Sequence, residues 1–143
     1  MSTKPPKALI VDDEPSDLEA LHQALTGAGY EVVTANDGKN AVDIFQAHGG
    51  EFDLLVTDVA MLPMNGCDLA AELVRLQPNL RVVFVSAYTG AQAFRYKGHP
   101  IASFAFLQKP LRPDTLLSNV RELLTPGKDT LEGPEATGKP KEA

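Results

Sequence analysis

The chain has 143 residues, of which 43% are hydrophobic and one is cysteine, and its formal net charge is −6. This length suits a single domain, its apolar runs are far shorter than the ~20 residues that cross a bilayer, and one cysteine excludes an internal disulfide. The acidic balance argues against a nucleic-acid surface, which is normally basic. We therefore expect neither nucleic acid nor a membrane as a partner.

Apolar runs that predict strands alternate along the chain with segments that have helical spacing. Strands are expected at 8–11, 31–35, 54–58, 81–86 and 103–108, and helices at 15–26, 38–48, 66–76, 90–97 and 112–124. The apolar positions of three helices predict buried faces: Leu18, Leu21 and Leu25; Leu69, Leu73 and Leu76; Leu116, Leu117, Val120, Leu123 and Leu124. This alternation predicts an α/β fold, a doubly wound five-stranded parallel sheet with five helices.

The two ends of the chain differ from the middle. Residues 1–6 are basic but have no apolar signal-peptide segment, so we expect a flexible N-terminal arm and a soluble, cytoplasmic protein. Residues 125–143 combine Gly, Pro and mixed charge with a single large apolar side chain, Leu131. Such a segment cannot bury enough surface to offset its ordering entropy, and we expect a disordered tail. The folded domain is expected over 7–124.

Four of the predicted strands end in residues that can handle a phosphoryl group. Asp12 and Asp13 follow the first strand, Asp58 ends the third, Ser86 ends the fourth and Lys109 follows the fifth. In an open parallel sheet, ligands bind outside the carboxyl ends of the strands, where the strand order reverses. We therefore expect three carboxylates, a hydroxyl and an ammonium group to meet in one crevice.

These side chains together favour metal-assisted phosphoryl chemistry. Carboxylates within ~4–6 Å of one another repel and raise at least one pKa, and a divalent cation such as Mg²⁺, which prefers oxygen ligands, removes that repulsion. Asp58 is then a nucleophile toward phosphorus that gives an acyl phosphate, while Lys109 and Ser86 neutralise and hydrogen-bond the phosphoryl oxygens. The alternative for Asp12 and Asp13 is helix capping, and Ser86 and Lys109 alone are also compatible with ordinary strand-end residues.

Four segments resemble a known family in their order and spacing. They are 9–14 (LIVDDE), 58–61 (DVAM) with 64–66 (MNG), 85–87 (VSA) and 109–110 (KP). In these segments the chain resembles the receiver domain of bacterial two-component response regulators, over about 7–124. The resemblance implies the flavodoxin-like receiver fold and Mg²⁺ as the cofactor.

The resemblance also implies a role for each acid. Asp58 is the phospho-acceptor, and it ligates Mg²⁺ directly together with Asp13 and the backbone carbonyl of Ala60. Asp12 holds a metal-bound water.

Further residues match the family's switching groups. Ser86 and Lys109 contact the phosphoryl oxygens, and Phe106 is the aromatic residue that rotates inward when Ser86 moves toward the phosphate. A core phenylalanine remains the alternative for Phe106. The resemblance implies a cis peptide bond between Lys109 and Pro110.

The expected function is that of a phosphorylation-dependent signalling switch. A histidine kinase or a phosphotransfer protein donates the phosphoryl group, and the face formed by the predicted fourth helix, fifth strand and fifth helix then changes its affinity for a downstream protein target. The chain is expected not to be an enzyme, since it promotes only its own phosphorylation and dephosphorylation. One alternative is a receiver fragment or phosphorelay intermediate linked to a hybrid kinase. Another is a pseudo-receiver interaction module that is never phosphorylated.

Overall fold

The computed structural model describes residues 4–61, 63–87 and 104–125. In chain order, these ranges form β1 (Lys7–Val11), α1 (Pro15–Gly27), β2 (Glu31–Ala35), α2 (Gly38–Ala47), β3 (Leu54–Asp58), α3 (Gly66–Leu76), β4 (Arg81–Ser86), β5 (Phe104–Gln108) and α4 (Pro113–Leu124). The helix predicted at 90–97 lies outside the described residues, so α4 is the helix predicted as the fifth. All of the predicted tail except Thr125 also lies outside them.

The five strands form one parallel sheet in the order β2-β1-β3-β4-β5. Every residue of β3 is buried, as are all residues but the first in β1 and β4. Continuous apolar runs of this kind are typical of strands covered on both faces. The predicted doubly wound five-stranded parallel sheet is therefore confirmed, and its strand order reverses between β1 and β3.

Helices cover both faces of the sheet and enclose two apolar cores. The core on the α2 and α3 side contains Phe45, Leu69 and Leu73, and the core on the α1 and α4 side contains Leu25 and Leu116. Both α1 and α4 begin with a proline at or near the first helical position, where a missing N–H costs nothing. None of the helices in the described ranges is long and apolar enough to cross a membrane.

One residue of the predicted buried faces is placed differently in the structure. Leu76 was expected beside Leu69 and Leu73, but it is 41% exposed. It is the last residue of α3, and the next residue, Gln77, turns the chain back to hydrogen-bond with Phe52. Because the helix ends at Leu76, no further helical turn follows to cover its side chain.

Candidate functional site

The switch point of the sheet brings the three predicted acids together. Val11 of β1 lies opposite Thr57 of β3 in the parallel register, so that Asp12 and Asp58 leave neighbouring strands at the same level. One carboxylate oxygen from each of Asp12, Asp13 and Asp58 lies within 4.8 Å of the others. Asp12 and Asp58 are buried and Asp13 is exposed. The cluster is thus accessible to solvent at Asp13.

The helix-capping alternative explains only part of Asp12. Its Oδ1 accepts the backbone N–H of Glu14 at 2.9 Å, which orders the turn into α1. Glu14 is itself the N-cap residue, and its side chain makes no capping hydrogen bond. The other oxygen of Asp12 accepts a hydrogen bond from Lys109. Asp12 therefore joins the start of α1 to the acid cluster.

Lys109 extends its ammonium group into the acid cluster from the end of β5. Its Nζ lies 3.0 Å from Asp12 Oδ2, 2.8 Å from Asp17 Oδ2 and 3.7 Å from Asp58 Oδ1. The backbone N–H of Lys109 donates to the carbonyl of Ser86 at 2.8 Å. The Lys109–Pro110 peptide is cis, as the family resemblance implied.

Ser86 ends β4 on the neighbouring strand. Val85 is paired with Asp58 in the β3–β4 register, and Ser86 is the next residue. The residue is fully buried. The structure therefore brings all five predicted ionic or hydroxylic residues to one edge of the sheet, while the contact of Ser86 with a phosphoryl oxygen stays a prediction.

Burial and neighbouring charges shift the pKa of the central acid. Burial raises the pKa of Asp58 from 3.8 to about 6; the charge of Lys109 opposes this rise, Asp12 and Asp13 add to it, and the backbone N–H of Ala60 opposes it. The pKa of Lys109 is also raised, because hydrogen bonds to Asp17 and Asp12 outweigh the effect of burial. One cation thus faces an excess of carboxylates, and part of their repulsion is left uncompensated.

This donor set fits a hard divalent cation. Carboxylate oxygens are the ligands that Mg²⁺ prefers, and a bound cation favours the charged form of each acid. The raised pKa of Asp58 shows that its charge is disfavoured with Lys109 alone as the counterion. Ala60 lies at the exposed start of the loop after β3. The ligand role implied for its carbonyl stays a prediction.

A glycine fixes the loop that returns from β3 to α3. A Cβ atom at Gly66 would overlap the carbonyl oxygen of Asp58. The N–H of Gly66 donates to Val59 at 2.9 Å, and the Asn65 side chain caps α3 by accepting the N–H of Asp68 at 2.8 Å. The start of α3 therefore lies directly against the backbone of the predicted phospho-acceptor.

Phe106 lies in β5 opposite Phe84 of β4. It is half-buried and packs against the core on the α2 and α3 side. The neighbouring Phe104 contacts Phe84 edge to face, with ring centroids 5.9 Å apart. This packing agrees with a core aromatic residue, and the switching role of Phe106 stays a prediction.

Asp17 contacts the site although no pattern in the sequence predicted it. It lies in the first turn of α1, 92 residues from Lys109 along the chain, and makes the shortest contact of the Lys109 ammonium group. The one feature of the sequence that pointed to Asp17 was its position in the first turn of a helix that begins just after Asp12 and Asp13. Acids are common at that position because they interact favourably with the helix dipole, so the signal was weak.

A doubly wound sheet with three acids and a lysine at its switch point defines an α/β domain with a site suited to a cation and an anionic group. The sequence model of the response regulator receiver domain matches residues 8–121. The chain therefore belongs to the receiver domain family of two-component response regulators. Its Asp cluster is compatible with phosphorylation and with Mg²⁺ binding.

Curated relatives share this domain within much longer proteins. The Sensor kinase CckA of Brucella abortus (strain 2308) is 37% identical over 116 residues, which are 81% of this chain and 12% of the kinase. The Transcriptional regulatory protein GlrR of Escherichia coli (strain K12) is 34% identical over 124 residues, 87% of this chain and 27% of that regulator. The chain thus spans a small part of the length of either relative.

The fold of this chain is also similar to those of solved receiver-domain structures. The CheX–CheY–BeF₃–Mg²⁺ complex from Borrelia burgdorferi matches with a TM-score of 0.73 and 27% identity, covering 85% of this chain and 91% of that one. The receiver domain of the hybrid histidine kinase CckA matches with a TM-score of 0.70 and 29% identity, covering 83% and 99%.

Proposed function

We propose that this chain is a phosphorylation-dependent signalling switch in which Asp58 accepts the phosphoryl group. The observation that supports this most directly is the position of the Asp58 carboxylate. It is buried at the end of a central strand, clustered with Asp12 and Asp13, and 3.7 Å from the Lys109 ammonium group. A nucleophile, a set of metal ligands and a fixed cation are thus available at one point.

The transfer forms one bond and breaks one bond. An oxygen of Asp58 attacks the phosphorus of a phosphohistidine, and the P–N bond breaks with its electron pair going to the imidazole nitrogen. Asp58 becomes an acyl phosphate. With acetyl phosphate as the donor, a P–O bond breaks instead and acetate leaves with the electron pair.

The protein contributes positioning and charge neutralisation, which are the main needs of phosphoryl transfer. Asp12, Asp13 and Asp58 would hold Mg²⁺, with the Ala60 carbonyl as a further ligand. Bound Mg²⁺ would neutralise negative charge on the phosphoryl oxygens. Lys109 supplies a second positive charge, with its ammonium group 3.7 Å from Asp58. The structural neighbour that contains Mg²⁺ and BeF₃ supports this arrangement.

Phosphorylation would then change the surface of the domain. Ser86 and Phe106 would respond to the phosphoryl group and alter the face formed by the predicted fourth helix, β5 and α4. Phosphorylation switches act in this way, through a local charge that biases a two-state element. A histidine kinase or phosphotransfer protein is the proposed donor, and a downstream protein is the proposed target. The chain would promote only its own phosphorylation and dephosphorylation and would not be an enzyme.

Similarity to a sensor kinase favours one more specific assignment. Both the curated CckA kinase and the solved receiver domain of CckA resemble this chain. A phosphorelay intermediate, or a receiver linked to a hybrid kinase, is therefore the second candidate. Transfer from this chain's phospho-Asp58 onward to a histidine phosphotransfer protein would distinguish it from a switch that ends the relay.

The central test is phosphorylation by acetyl phosphate, followed by intact mass spectrometry with and without Mg²⁺. The unsubstituted chain should gain the mass of one phosphoryl group only with Mg²⁺, and Asp58→Asn should gain none. Asp53→Asn is the matched control, because Asp53 precedes the same strand at the opposite edge of the sheet, where it accepts the N–H of Lys7 at 2.8 Å. It should be modified like the unsubstituted chain.

Metal binding has an independent readout. Mg²⁺ should raise the melting temperature of the unsubstituted chain, because it binds only the folded acid cluster, and should raise that of Asp58→Asn less. A chain that binds Mg²⁺ but never gains a phosphoryl group would be a pseudo-receiver. Equal modification of Asp58→Asn would show that another residue is the acceptor.

A further inference from the structure

Asp17 pairs with Lys109, the lysine that also lies near the proposed phospho-acceptor. It is the third residue of α1, after Pro15 and Ser16, and its side chain is 42% exposed, against 17% for that of Lys109. It is not one of the three acids whose carboxylate oxygens lie within 4.8 Å of one another. It contacts that acid cluster through the lysine.

The distances around Lys109 rank its partners. Asp17 is closest at 2.8 Å, Asp12 follows at 3.0 Å, and Asp58 lies at 3.7 Å, beyond hydrogen-bonding distance. A lysine ammonium group has three donors. Two of them are occupied by carboxylates that are not the acceptor. The ammonium group thus lies nearer to Asp17 and Asp12 than to Asp58 in this structure.

Stabilisation of the helix start is the simpler explanation of Asp17. An acid in the first turn stabilises a helix through its dipole whether or not it contacts a lysine. That explanation predicts an effect on stability alone. The short contact with Lys109 predicts an additional effect on the chemistry of Asp58, and the two can be separated by experiment.

We propose that Asp17 is a positioning residue that holds the Lys109 ammonium group away from Asp58 and thereby slows phosphoryl transfer. This inference rests on the proposed function of Asp58. Negative charge on the transferring phosphoryl group and the carboxylate of Asp17 compete for the same cation. Phosphorylation requires Lys109 to weaken its contact with Asp17. The free energy of that ion pair therefore favours the unphosphorylated state.

The decisive variant is Asp17→Asn, which removes the charge and keeps the size of the side chain. The initial rate of phosphorylation by acetyl phosphate with Mg²⁺, measured by intact mass, should rise about twofold to fivefold, as expected for the loss of one partly exposed ion pair. Asp17→Glu retains the charge and should restore a rate close to that of the unsubstituted chain.

Glu19→Gln is the matched control. Glu19 lies on the same helix and is exposed, and its carboxylate accepts a hydrogen bond from Gln23 at 2.7 Å. Two residues along a helix correspond to a rotation of about 200°, so Glu19 lies on a different face from Asp17. The control changes the net charge by the same amount and should leave the rate unchanged.

The effect must also depend on Lys109. Asp17→Asn in a Lys109→Gln background should give the same rate as Lys109→Gln alone, because the competing cation is absent. An increase that persists in this background, or one that Glu19→Gln reproduces, would show general electrostatic attraction of the anionic donor and overturn the inference. A slower Asp17→Asn chain would also overturn it.

The outcomes separate the two proposals. No phosphorylation of the unsubstituted chain would overturn both the proposed function and the role of Asp17. Phosphorylation at Asp58 with equal rates for Asp17→Asn and Glu19→Gln would overturn the role of Asp17 alone.

Discussion

Polar residues are buried differently at the two ends of the parallel strands. The carboxyl ends together form what we call the carboxyl edge of the sheet, and the amino ends form the amino edge. Within the described ranges, the buried polar or charged residues are Asp12, Thr57, Asp58 and Ser86, all at or directly after the carboxyl ends of the strands. At the amino edge, the charged residues Lys7 and Asp53 are partly or fully exposed. Burying a charge is costly unless it is paired, so Asp12 and Asp58 at the carboxyl edge have a cost that the exposed Asp53 avoids.

At the amino edge, contacts between residues far apart in the sequence stabilise the fold. The backbone N–H of Lys7 donates to Asp53, the Lys7 ammonium lies 5.0 Å from the Phe52 ring centroid, and Gln77 hydrogen-bonds with the Phe52 backbone. At the carboxyl edge, by contrast, the acids outnumber Lys109, and the pKa of Asp58 is raised to about 6. A surplus of buried charge at one edge indicates function, because it is a stability cost that packing alone does not require.

The largest expected effect concerns the backbone at the carboxyl edge. Gly66→Ala should lower the free energy of unfolding by about 3 kcal/mol, because the new Cβ overlaps the Asp58 carbonyl and both groups are backbone-fixed. The same change should weaken Mg²⁺ binding by displacing Asp58. Urea denaturation followed by circular dichroism, with and without Mg²⁺, measures both effects.

Gly27→Ala is the control for this substitution. Gly27 ends α1, and an added Cβ there meets nothing within 4 Å. Alanine has a higher helix propensity than glycine, so a gain of up to about 1 kcal/mol is expected. A Gly66→Ala chain as stable as Gly27→Ala would show that the contact between α3 and Asp58 relaxes freely.

The next effect concerns the cation of the carboxyl edge. Lys109→Met should lower the free energy of unfolding by about 2 kcal/mol at pH 8 without Mg²⁺, because it leaves buried carboxylates without their counterion. The loss should shrink when Mg²⁺ is added. Lys39→Met is the control: the ion pair of Lys39 with Asp43 is 3.8 Å long and its side chains are 81% and 66% exposed. Such exposed pairs contribute little, and no measurable change is expected.

Asp58 should make the stability of the fold depend on pH. The pKa of Asp58 in the folded state is about 6, above its ordinary value of 3.8. The stability contributed by protonated Asp58 is therefore fully present below pH 3.8 and is lost as the pH rises through 6. Without Mg²⁺, Asp58→Asn should therefore be more stable than the unsubstituted chain by about 2 kcal/mol at pH 8. The difference should fall toward zero near pH 4.

Paired denaturation curves over this pH range test the prediction. Asp53→Asn should instead be slightly destabilised at pH 8, because its carboxylate accepts the N–H of Lys7. A difference between Asp58→Asn and the unsubstituted chain that does not change with pH would contradict the shifted pKa of Asp58.

Local patterns made much of the fold and of the candidate site predictable. The apolar run before Asp12 and Asp13 and the run that ends in Asp58 are short strand signals, and parallel strands align their carboxyl ends at one edge. Convergence of these acids with Ser86 and Lys109 follows from topology, so the residues at the strand ends were sufficient to predict it.

Features that depend on three-dimensional placement were not predictable. The contact of Asp17 with Lys109 joins residues 92 positions apart and depends on how α1 is rotated about its axis. The exposure of Leu76 depends on where α3 ends relative to the sheet. The close approach of Gly66 to the Asp58 carbonyl depends on the path of the loop between them. No periodicity in the sequence encodes these distances.

The smallest expected effect lies at the amino edge. The Gln77 side chain donates to the Phe52 carbonyl at 2.6 Å and accepts the Phe52 N–H at 3.3 Å, which joins the end of α3 to the start of β3. Gln77→Ala should lower the free energy of unfolding by about 1 kcal/mol, as expected for lost neutral hydrogen bonds. The rate of phosphorylation by acetyl phosphate should not change.

Gln46→Ala is the control, because Gln46 is an exposed residue of α2 and its loss should change stability by less than about 0.5 kcal/mol. Phosphorylation kinetics then decide whether the two edges are independent. If Gln77→Ala altered the rate as much as Asp17→Asn, the strands would transmit strain from one edge of the sheet to the other. The contrast between a structural edge and a reactive edge would then be wrong, because both ends of β3 would set the position of Asp58.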